Sequence, residues 1–270
     1  MKNYLGIDIG GTRIKAVLLR GTDKQKPVLH SIPTPDTREA AIYAMQDLAR
    51  AAQGDTKIAG IGIGVPGIID QKTGVIEKAP NVPWLDGWRL ADMWETQGVP
   101  VAVENDSRCF VLAESMWGAG AGYKNIVGLA IGTGIGGGIM INGALIRGVH
   151  AAAGEFGHMV LALDEKNIAS SQTLEHMGAK RAFEKYGDRS AVIGVAVANL
   201  INVFDPEMVV LGGGGVADDG VTIEVIRNIM RSFVLSVGAK ETPVAPAHLG
   251  DAAQAIGAGL LFKERGAAIG

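Results

Sequence analysis

The sequence predicts an α/β fold made of two related halves, and three observations support this prediction. Short apolar strands alternate with amphipathic helices along the chain, as in sheets whose faces are covered. A strand, glycine turn and strand at residues 5–18 recur at residues 128–141, about half a chain later. Glycine contributes 39 of the 270 residues and clusters at strand ends, where bare backbone can approach a ligand.

The composition argues against several classes of protein. The net charge of −3, without a basic block, argues against binding to nucleic acid or to an anionic membrane surface. The apolar runs are short and broken by glycine, so we expect no transmembrane helix. A strand begins within four residues of the N-terminus, which leaves no room for a signal peptide or a DNA-reading domain, and we expect a cytoplasmic protein. Cys109 is the single cysteine, which excludes a disulfide or a multi-thiolate zinc site within one chain.

The first element is a predicted β-hairpin. A buried strand at residues 4–9 turns at Gly10-Gly11-Thr12, and the alternation then resumes to residue 18. A dinucleotide-binding or P-loop glycine turn would open a helix instead. The hairpin tip would offer backbone N–H groups, a hydroxyl and the Asp8 carboxylate, which suit a phosphate with its Mg²⁺. A tight turn alone would also require the glycines, so a purely structural role remains an alternative.

The other elements of the first half follow from apolar periodicity and turn residues. They are a polar turn at 20–27, a strand at 28–34, a helix at 38–53, a strand at 58–65, a loop to about 81, a short helix at 89–97, a strand at 100–104 and a helix at 107–116. Asp106 therefore lies where a strand ends and a helix begins.

The second half repeats this plan. After the hairpin at 128–141 we predict a loop at 149–157, helices at 181–185 and 191–203, a strand at 208–211, a glycine turn at 212–215, a helix at 223–237, a strand at 244–249 and a closing helix at 252–263. The linker should lie near residues 105–120, and the closing helix should pack on the first half. We predict a small N-terminal domain (1–106 plus 252–270) and a larger C-terminal domain (107–251), with a cleft between them.

These patterns place candidate chemistry at specific residues. Two glycine hairpins directed at one polyphosphate would provide N–H groups where charge develops during phosphoryl transfer. The third glycine cluster, at 212–215, lacks Gly-x-Gly-x-x-Gly spacing and would form a wall for adenine or ribose, or else a helix-packing site. Asp106 could accept the proton of an attacking hydroxyl, or it could merely cap its helix. Asn105 could orient the substrate through its amide.

Eight short motifs occur in a specific order along nearly the whole chain. They are Asp8-Ile9-Gly10-Gly11-Thr12, Pro66-Gly67, Pro80-Asn81, Asn105-Asp106, Gly132-Thr133-Gly134-Ile135-Gly136-Gly137, Gly154-Glu155-Phe156-Gly157-His158, Leu211-Gly212-Gly213-Gly214 and Leu249-Gly250-Asp251-Ala252. In this order the chain resembles the ROK family of sugar kinases and repressors, within the actin-like (hexokinase-type) ATPase superfamily.

The resemblance implies an ATP-dependent kinase acting on the 6-hydroxyl of a hexose or N-acylhexosamine, with Asp106 as general base. Implied sugar-binding residues are Gly67, Asn81, Asn105, Asp106, Glu155, His158 and Glu175. Implied ATP- and phosphate-binding residues are Asp8, Gly10, Gly11, Thr12, Lys15, Gly132, Thr133, Gly134, Gly136, Gly137, Gly212, Gly213 and Gly214. Asp8 would hold Mg²⁺ mostly through water and ATP, and a homodimer is a family expectation. The alternation of Lys15 in its strand favours a solvated strand residue over a phosphate ligand.

The chain departs from the family pattern in one place. Family members usually carry a cysteine-rich zinc motif after the Glu-x-Gly-His element, whereas residues 168–175 contain no cysteine. Glu175 corresponds to the final glutamate of that motif, and we expect no zinc. His158 would then hydrogen-bond the sugar directly, with a packed core histidine as the alternative; Glu155 could be a solvated turn residue.

Two other functions are compatible with parts of this sequence. A sugar-binding sensor without catalysis is possible, but the presence of Asp8, Asp106 and Thr133 argues against it. An actin-like filament or chaperone ATPase would leave Asn81, Glu155 and Glu175 without a role. Glucose, N-acetylmannosamine, N-acetylglucosamine, fructose and allose all remain open as substrates, with glucose the first choice, because a few side chains at the pocket edge decide selectivity.

Overall fold

The computed structural model describes residues 2–21, 27–70, 72–182, 187–217 and 221–267. The chain forms two compact units. The first unit comprises Met1–Ala113, Arg147–Ala153 and Asp251–Gly270, and the second unit comprises Glu114–Ile146 and Gly154–Gly250. The predicted division into domains at residues 106/107 and 251/252 stays a prediction.

The described strands form two five-stranded sheets and two short hairpins. The strands are β1 (Tyr4–Ile9), β2 (Arg13–Leu19), β3 (His30–Pro33), β4 (Ile61–Val65), β5 (Ile68–Ile69), β6 (Ile76–Lys78), β7 (Val101–Asn105), β8 (Ile126–Ile131), β9 (Ile135–Ile141), β10 (Ala144–Leu145), β11 (Val160–Ala162), β12 (Gln172–Thr173), β13 (Met208–Gly212) and β14 (Val244–Pro246).

The two large sheets share one plan, which confirms the prediction of related halves. Their strand orders are β3-β2-β1-β4-β7 in the first unit and β10-β9-β8-β13-β14 in the second. In each sheet an antiparallel hairpin, β1–β2 or β8–β9, is followed outward by two strands parallel to its first strand. Carboxyl ends of parallel strands meet at one sheet edge, where ligands of α/β sheets usually bind.

The α-helices among the described residues lie between these strands. They are α1 (Arg38–Gln53), α2 (Asp92–Glu95), α3 (Asp106–Trp117), α4 (Leu174–Gly178), α5 (Ser190–Phe204), α6 (Gly214–Ala217), α7 (Ile223–Phe233) and α8 (Ala253–Ala267). Among these described helices, none is long and apolar enough to cross a membrane.

Helix α1 has the predicted bounds because its ends are specified locally. The side chain of Thr37 accepts a hydrogen bond from the N–H of Ala40, which satisfies one of the unpaired donors at the helix start. Gly54 ends the helix with a positive φ. Ala41, Met45 and Leu48 share the buried face that packs into the core of the first unit.

Helix α8 returns to the first unit, as predicted, and packs on β1, β2, β4 and β7. The approach is close because two strand residues lack side chains. A Cβ atom would lie 1.9 Å from the Ala255 carbonyl oxygen if placed on Gly6, and 1.8 Å from that of Ala258 if placed on Gly62. The glycines of these strands therefore provide room for a helix backbone.

Several predicted bounds were wrong. Strand β3 begins at His30 because Val28 and Leu29 are exposed, and residues 58–60 precede β4. The predicted loop after residue 66 contains the short hairpin β5–β6, and α2 covers only the middle of residues 89–97. Helix α7 ends at Phe233, since Val234 already has extended backbone. The predicted turn at 20–27 and helix at 181–185 lie largely outside the described residues.

Candidate active site

The β1–β2 hairpin forms the first predicted phosphate site. Ile9 pairs with Ile14, so four residues connect the paired positions. The N–H of Gly10 donates to the Arg13 carbonyl (3.0 Å), and the Thr34 hydroxyl donates to the Gly10 carbonyl (2.6 Å). Gly11 and Thr12 at the tip are exposed. Hydrogen bonds at Gly10 thus hold the base of the turn, while its outermost residues face solvent.

Asp8 lies near the end of β1 and is 5% exposed. Its pKa is raised to about 7, first by burial and then by the negative charge of Asp106, while the Lys15 charge acts in the opposite direction. Lys15 is the cross-strand partner of Asp8, and its ammonium donates to the Asp251 carbonyl (3.1 Å). The buried carboxylate is therefore only partly compensated by the described residues around it.

Asn105 and Asp106 join β7 to α3, and their side chains have different roles. The Asn105 amide oxygen accepts from the N–H groups of Ser107 (3.0 Å) and Arg108 (3.1 Å), the second and third residues of the helix. Asn105 is therefore the helix N-cap. Asp106 is partly exposed, and its Oδ1 accepts from Ser107 N–H (2.6 Å). Both side chains therefore accept from N–H groups at the start of α3, and whether Asp106 acts as a base or only caps the helix stays a prediction.

Asn105 also anchors another predicted sugar-binding residue. Its amide nitrogen donates to the Gly67 carbonyl (3.2 Å). Gly67 has φ 111°, and a Cβ there would lie 1.9 Å from the Lys78 carbonyl oxygen, so this position requires glycine. Asn81 is exposed and lies beside the first hairpin: its carbonyl oxygen would be 3.2 Å from a Cβ on Gly11. In the first unit, the predicted sugar residues therefore adjoin the predicted phosphate turn.

A buried charge cluster lies directly behind Asn105-Asp106. Glu104 Oε1 accepts from Arg108 Nε (2.7 Å), and its Oε2 accepts from Arg147 Nε (2.6 Å). Arg147 also pairs with Glu264 of α8 (3.1 Å). Glu104 and Arg108 are each 1% exposed. Burial alone would raise the pKa of Glu104, but the charges of Arg108 and Arg147 outweigh it and hold that pKa below its usual value.

Arg108 extends the cluster to the segment Arg147–Ala153. Its Nη1 donates to the carbonyls of Ala151 (2.9 Å) and Ala153 (3.2 Å). Ala151 has φ 52°, a strained conformation for alanine that these bonds help to hold. The segment directly precedes Gly154-Glu155 in the chain. One buried side chain thus fixes both the start of α3 and the approach to a predicted sugar-binding residue.

The β8–β9 hairpin forms the second predicted phosphate site. Ile131 pairs with Ile135, so three residues connect the paired positions, and Gly132 N–H donates to the Gly134 carbonyl (2.8 Å). Thr133 at the tip is exposed. Glu175 of α4 accepts from Ile135 N–H (3.0 Å). A predicted sugar-binding carboxylate therefore contacts a predicted phosphate-binding turn.

The Gly-Glu-Phe-Gly-His segment packs on the same hairpin. The Phe156 ring occupies the space that a side chain on Gly137 would need, at 2.4 Å from the Cβ position. Phe156–His158 forms a short 3₁₀ turn, in which Glu155 is partly exposed and His158 is exposed. The alternative that His158 is a core histidine is therefore wrong. Gly137, assigned to phosphate, has a packing reason to be glycine.

Residues 159–175, which replace the zinc motif, form the hairpin β11–β12. Asp164 closes it: Oδ1 accepts from the N–H groups of Lys166 (3.0 Å) and Asn167 (3.1 Å), and Oδ2 accepts from the Ser170 hydroxyl (2.5 Å). These bonds, that of Ser170 first, lower the pKa of Asp164. Within the described ranges, no three His, Cys, Asp or Glu side chains form a group that could hold a metal ion.

The third glycine cluster joins β13 to α6. Gly213 has φ 92°, and its Cβ would lie 2.3 Å from the Ile131 carbonyl oxygen. Buried Arg189 donates to the carbonyls of Gly215 (3.0 Å) and Gly178 (3.2 Å), and burial lowers its pKa. These contacts support the packing alternative for Gly213; the predicted nucleotide contacts of Gly212, Gly213 and Gly214 stay predictions.

Sequence reasoning missed the buried charged residues. They are Glu104, Arg108, Glu114, Arg189 and Glu264, and half-buried Arg147 joins two of them. A signal existed for the first two, because a lone carboxylate in an apolar strand is paired four residues later with an arginine. The pairing of Arg147 with Glu264 spans 117 residues, and no local pattern could predict it.

The repeated sheet, with a glycine hairpin at its centre, is the actin-like ATPase fold, and solved structures of the same fold match nearly the whole chain. The ROK family model matches residues 4–186 and 162–265, and the chain belongs to this family.

Named relatives extend over almost the full chain. A glucokinase of Streptomyces coelicolor is 28% identical, with 96% of this chain and 97% of the relative covered. An N-acetyl-D-glucosamine kinase of Haemophilus influenzae is 30% identical, covering 96% and 99%. The crystal structure of a ROK family glucokinase from Streptomyces griseus, in complex with glucose and AMPPNP, matches with a TM-score of 0.80 at 26% identity, covering 96% and 98%.

Proposed function

We propose that this protein is an ATP-dependent sugar kinase that phosphorylates the 6-hydroxyl of a hexose or N-acylhexosamine. Family membership and the relatives that are sugar kinases support this proposal. The observation that carries it is that Asn105 and Asp106, neighbours at the start of α3, have side chains in different environments. Asn105 caps the helix, which leaves the neighbouring Asp106 carboxylate partly exposed at a strand end beside buried Asp8.

Asp106 is the proposed general base. In the step, the sugar hydroxyl oxygen forms a bond to the γ-phosphorus of ATP, the bond from phosphorus to the bridging oxygen breaks, and ADP leaves. The hydroxyl proton passes to Asp106. The Asn105 cap and the cluster of Glu104, Arg108 and Arg147 hold the backbone from which Asp106 projects. Because the carboxylate is already held in position, less entropy would be lost when the reactive geometry forms.

The proposed sugar ligands are amides, carboxylates and one imidazole. In the first unit, Asn81 and Asn105 can donate and accept hydrogen bonds to hydroxyls, and Gly67 shapes the backbone around Asn105. In the second unit, Glu155 and Glu175 supply carboxylates, and exposed His158 supplies a ring nitrogen. Which sugar fits is left to experiment, since the relatives include kinases of different sugars.

ATP is assigned to the two hairpins and to Gly212, Gly213 and Gly214. The exposed tip residues Gly11, Thr12 and Thr133 would offer N–H and hydroxyl donors to phosphate. The first unit also fits Mg²⁺, because the buried Asp8 carboxylate near Asp106 has a raised pKa, which a divalent cation would relieve. When bound, Mg²⁺ neutralises charge on the phosphate oxygens. Asp8 would orient its water ligands.

A coupled assay for ADP release over a panel of sugars tests the proposal. The panel contains glucose, N-acetylmannosamine, N-acetylglucosamine, fructose and allose. Sugar-dependent ADP release with at least one of them supports the kinase. Sugar binding without turnover, measured by calorimetry, would instead indicate a non-catalytic sensor. The homodimer and the cytoplasmic location stay predictions; light scattering would check the first.

Replacement of Asp106 by Asn tests the proposed base. We expect kcat to fall by about 10²–10⁴-fold, because general base catalysis contributes that much, while sugar affinity stays within about threefold. The matched control is Asp92→Asn, at the start of α2, whose pairing with Arg89 is exposed. Turnover of Asp106→Asn close to that of the control would remove Asp106 as the base.

A further inference from the structure

The side chain of Glu175 links a proposed sugar-binding site to a proposed phosphate-binding turn. Glu175 is a proposed sugar ligand, yet its carboxylate is bonded to the tip of the β8–β9 hairpin, a proposed phosphate site. We propose that Glu175 is also a positioning residue for this hairpin and thereby couples sugar binding to nucleotide binding. This inference rests on the proposed function, which assigns the two ligands.

The contact between Glu175 and the hairpin is close and specific. Glu175 Oε2 accepts from Ile135 N–H at 3.0 Å. A Cβ atom on Gly134 would lie only 2.6 Å from the same Oε2 and 3.3 Å from the carboxyl carbon. The φ of Gly134 lies outside the left-handed range, so its backbone does not itself demand glycine. Gly134 is therefore small because the Glu175 carboxylate lies against it.

The hairpin tip is held at a second point by the segment that follows α4. Lys180, just after α4, donates its N–H to the Gly132 carbonyl (2.8 Å). Helix α4 is itself fixed, because Thr173 caps it and Leu174 N–H donates to the Met159 carbonyl (2.8 Å). The three-residue tip is thus held at Gly132 and at Ile135. A displacement of α4 must move the tip or break these bonds.

A carboxylate that shares its oxygens between a backbone N–H and sugar hydroxyls transmits occupancy of one site to the other. Oε1 lies farther from Gly134 than Oε2 does, at 3.7 Å from its Cβ position. A sugar hydroxyl that donates to Oε1 would fix the rotamer that keeps Oε2 on Ile135. The hairpin would then be ordered for phosphate when the sugar is present. Thermodynamic linkage requires the reverse effect, of nucleotide on sugar, to be equal in size.

Glu155 provides a matched control. It is also a carboxylate of the second unit and a proposed sugar ligand, and it is partly exposed like Glu175. In the part of the chain that the structure describes, however, its side chain makes no hydrogen bond. Glu155 variants should therefore weaken sugar binding without changing the hairpin.

The contact itself is tested without any activity. Hydrogen exchange of a peptide covering residues 131–137 should be faster in Glu175→Ala than in the wild type. Glu175→Gln should largely restore the protection, because the amide oxygen can still accept from Ile135. Glu155→Ala should leave exchange in this segment unchanged. Equal exchange in Glu175→Ala and the wild type would overturn the proposal.

A suppression experiment tests the fit at Gly134. Gly134→Ala should lower Tm, because the new methyl group collides with Glu175. The same change in a Glu175→Ala background should lower Tm by less than half as much, since the colliding carboxylate is gone. Gly132→Ala is the control, because its methyl group would meet nothing closer than 3.9 Å. Equal losses in the two backgrounds would contradict the proposed contact.

The coupling is tested with AMPPNP and the sugar that the protein phosphorylates. The ratio of the AMPPNP dissociation constants without and with saturating sugar should be at least about fivefold in the wild type, fall close to one in Glu175→Ala, and persist in Glu155→Ala. A ratio near one in the wild type, or an unchanged ratio in Glu175→Ala, would refute the coupling. If no sugar is phosphorylated, the proposed function fails, while the exchange and suppression results still decide the contact.

Discussion

The two glycine hairpins follow the same sequence pattern but are stabilised differently. The first connects its paired isoleucines with four residues and the second with three. The first has a carboxylate inside its own strand, Asp8, at a position where the second has Ala130. At the second hairpin the carboxylate is Glu175, which belongs to the separate helix α4 and accepts a hydrogen bond from the N–H of Ile135.

This difference separates two functions that the pattern alone assigns to both hairpins. Burial raises the pKa of Asp8 to about 7, which a cation would oppose, and this supports the proposed metal at the first hairpin rather than at the second. A carboxylate on a backbone N–H fixes the shape of the second hairpin. The two hairpins also require glycine for different reasons. Gly6 leaves room for the backbone of α8, whereas Gly134 and Gly137 leave room for the side chains of Glu175 and Phe156. Three predictions, which use five substitutions, test this comparison.

The largest effect is expected from Gly6→Ala in β1. The added methyl group would lie 1.9 Å from the Ala255 carbonyl of α8, and a backbone atom cannot move away cheaply. We expect a loss of more than about 5 kcal/mol in the free energy of unfolding, or failure to fold. Gly132→Ala, in open space at the second hairpin, should cost less than about 1 kcal/mol. Urea denaturation measures both, and equal costs would show that the two hairpins use glycine for the same reason.

The buried arginines provide the next contrast between the units. Arg108→Met removes a partner of buried Glu104, which should cost about 3–5 kcal/mol. Arg189 bonds only carbonyls through the described contacts of its guanidinium, and Arg189→Met leaves no buried charge behind. Its cost should be about 1–3 kcal/mol. Urea denaturation of both variants checks the order, and a cheaper Arg108→Met would contradict the assignment of the cluster as a stabilising unit.

A third contrast concerns Asp8→Asn, whose effect on stability depends on pH. The pKa of Asp8 is raised in the folded protein to about 7, so the native state binds a proton that the unfolded state releases above about pH 4. This contribution to stability is present at low pH and is lost as the pH rises through about 7.

Asp8→Asn should therefore match the wild type near pH 4 and exceed its stability by about 2–4 kcal/mol near pH 8, without Mg²⁺ or nucleotide. Denaturation at a series of pH values measures this difference. Parallel pH profiles for the two proteins would show that the carboxylate is better compensated than its burial indicates. Turnover should be lost in the same variant, which separates a functional carboxylate from a stabilising one.

Much of the fold was predictable because it is specified locally. The apolar alternation around glycine turns predicted both hairpins, and the apolar stripe of α1 predicted the extent of that helix. The hairpin β5–β6 was missed because strands of two and three residues show no periodicity. The end of α7 was missed because Leu235 and Val237 continue the apolar pattern although they are exposed.

The sequence proposes the candidate site as a set of residues, but it does not predict the contacts among them. Asn105-Asp106 could be assigned to the start of a helix, yet which side chain caps it depends on geometry. Glu175 could be matched to a family motif, yet its bond to Ile135 joins residues 40 positions apart. The ion pair of Arg147 with Glu264 spans 117 positions. Such contacts arise from tertiary packing, which residue spacing does not encode.

The return of α8 to the first unit has a consequence for synthesis on the ribosome. The sheet of the first unit is complete in sequence by Asn105, but Gly6 and Gly62 stay uncovered until residues 253–264 have emerged. The described strands of the second unit lie between residues 126 and 246, so they are all synthesised before α8. Contacts between residues that are distant in sequence form slowly. We therefore expect the second unit to fold first, and the sheet of the first unit to remain accessible to chaperones until α8 has been synthesised.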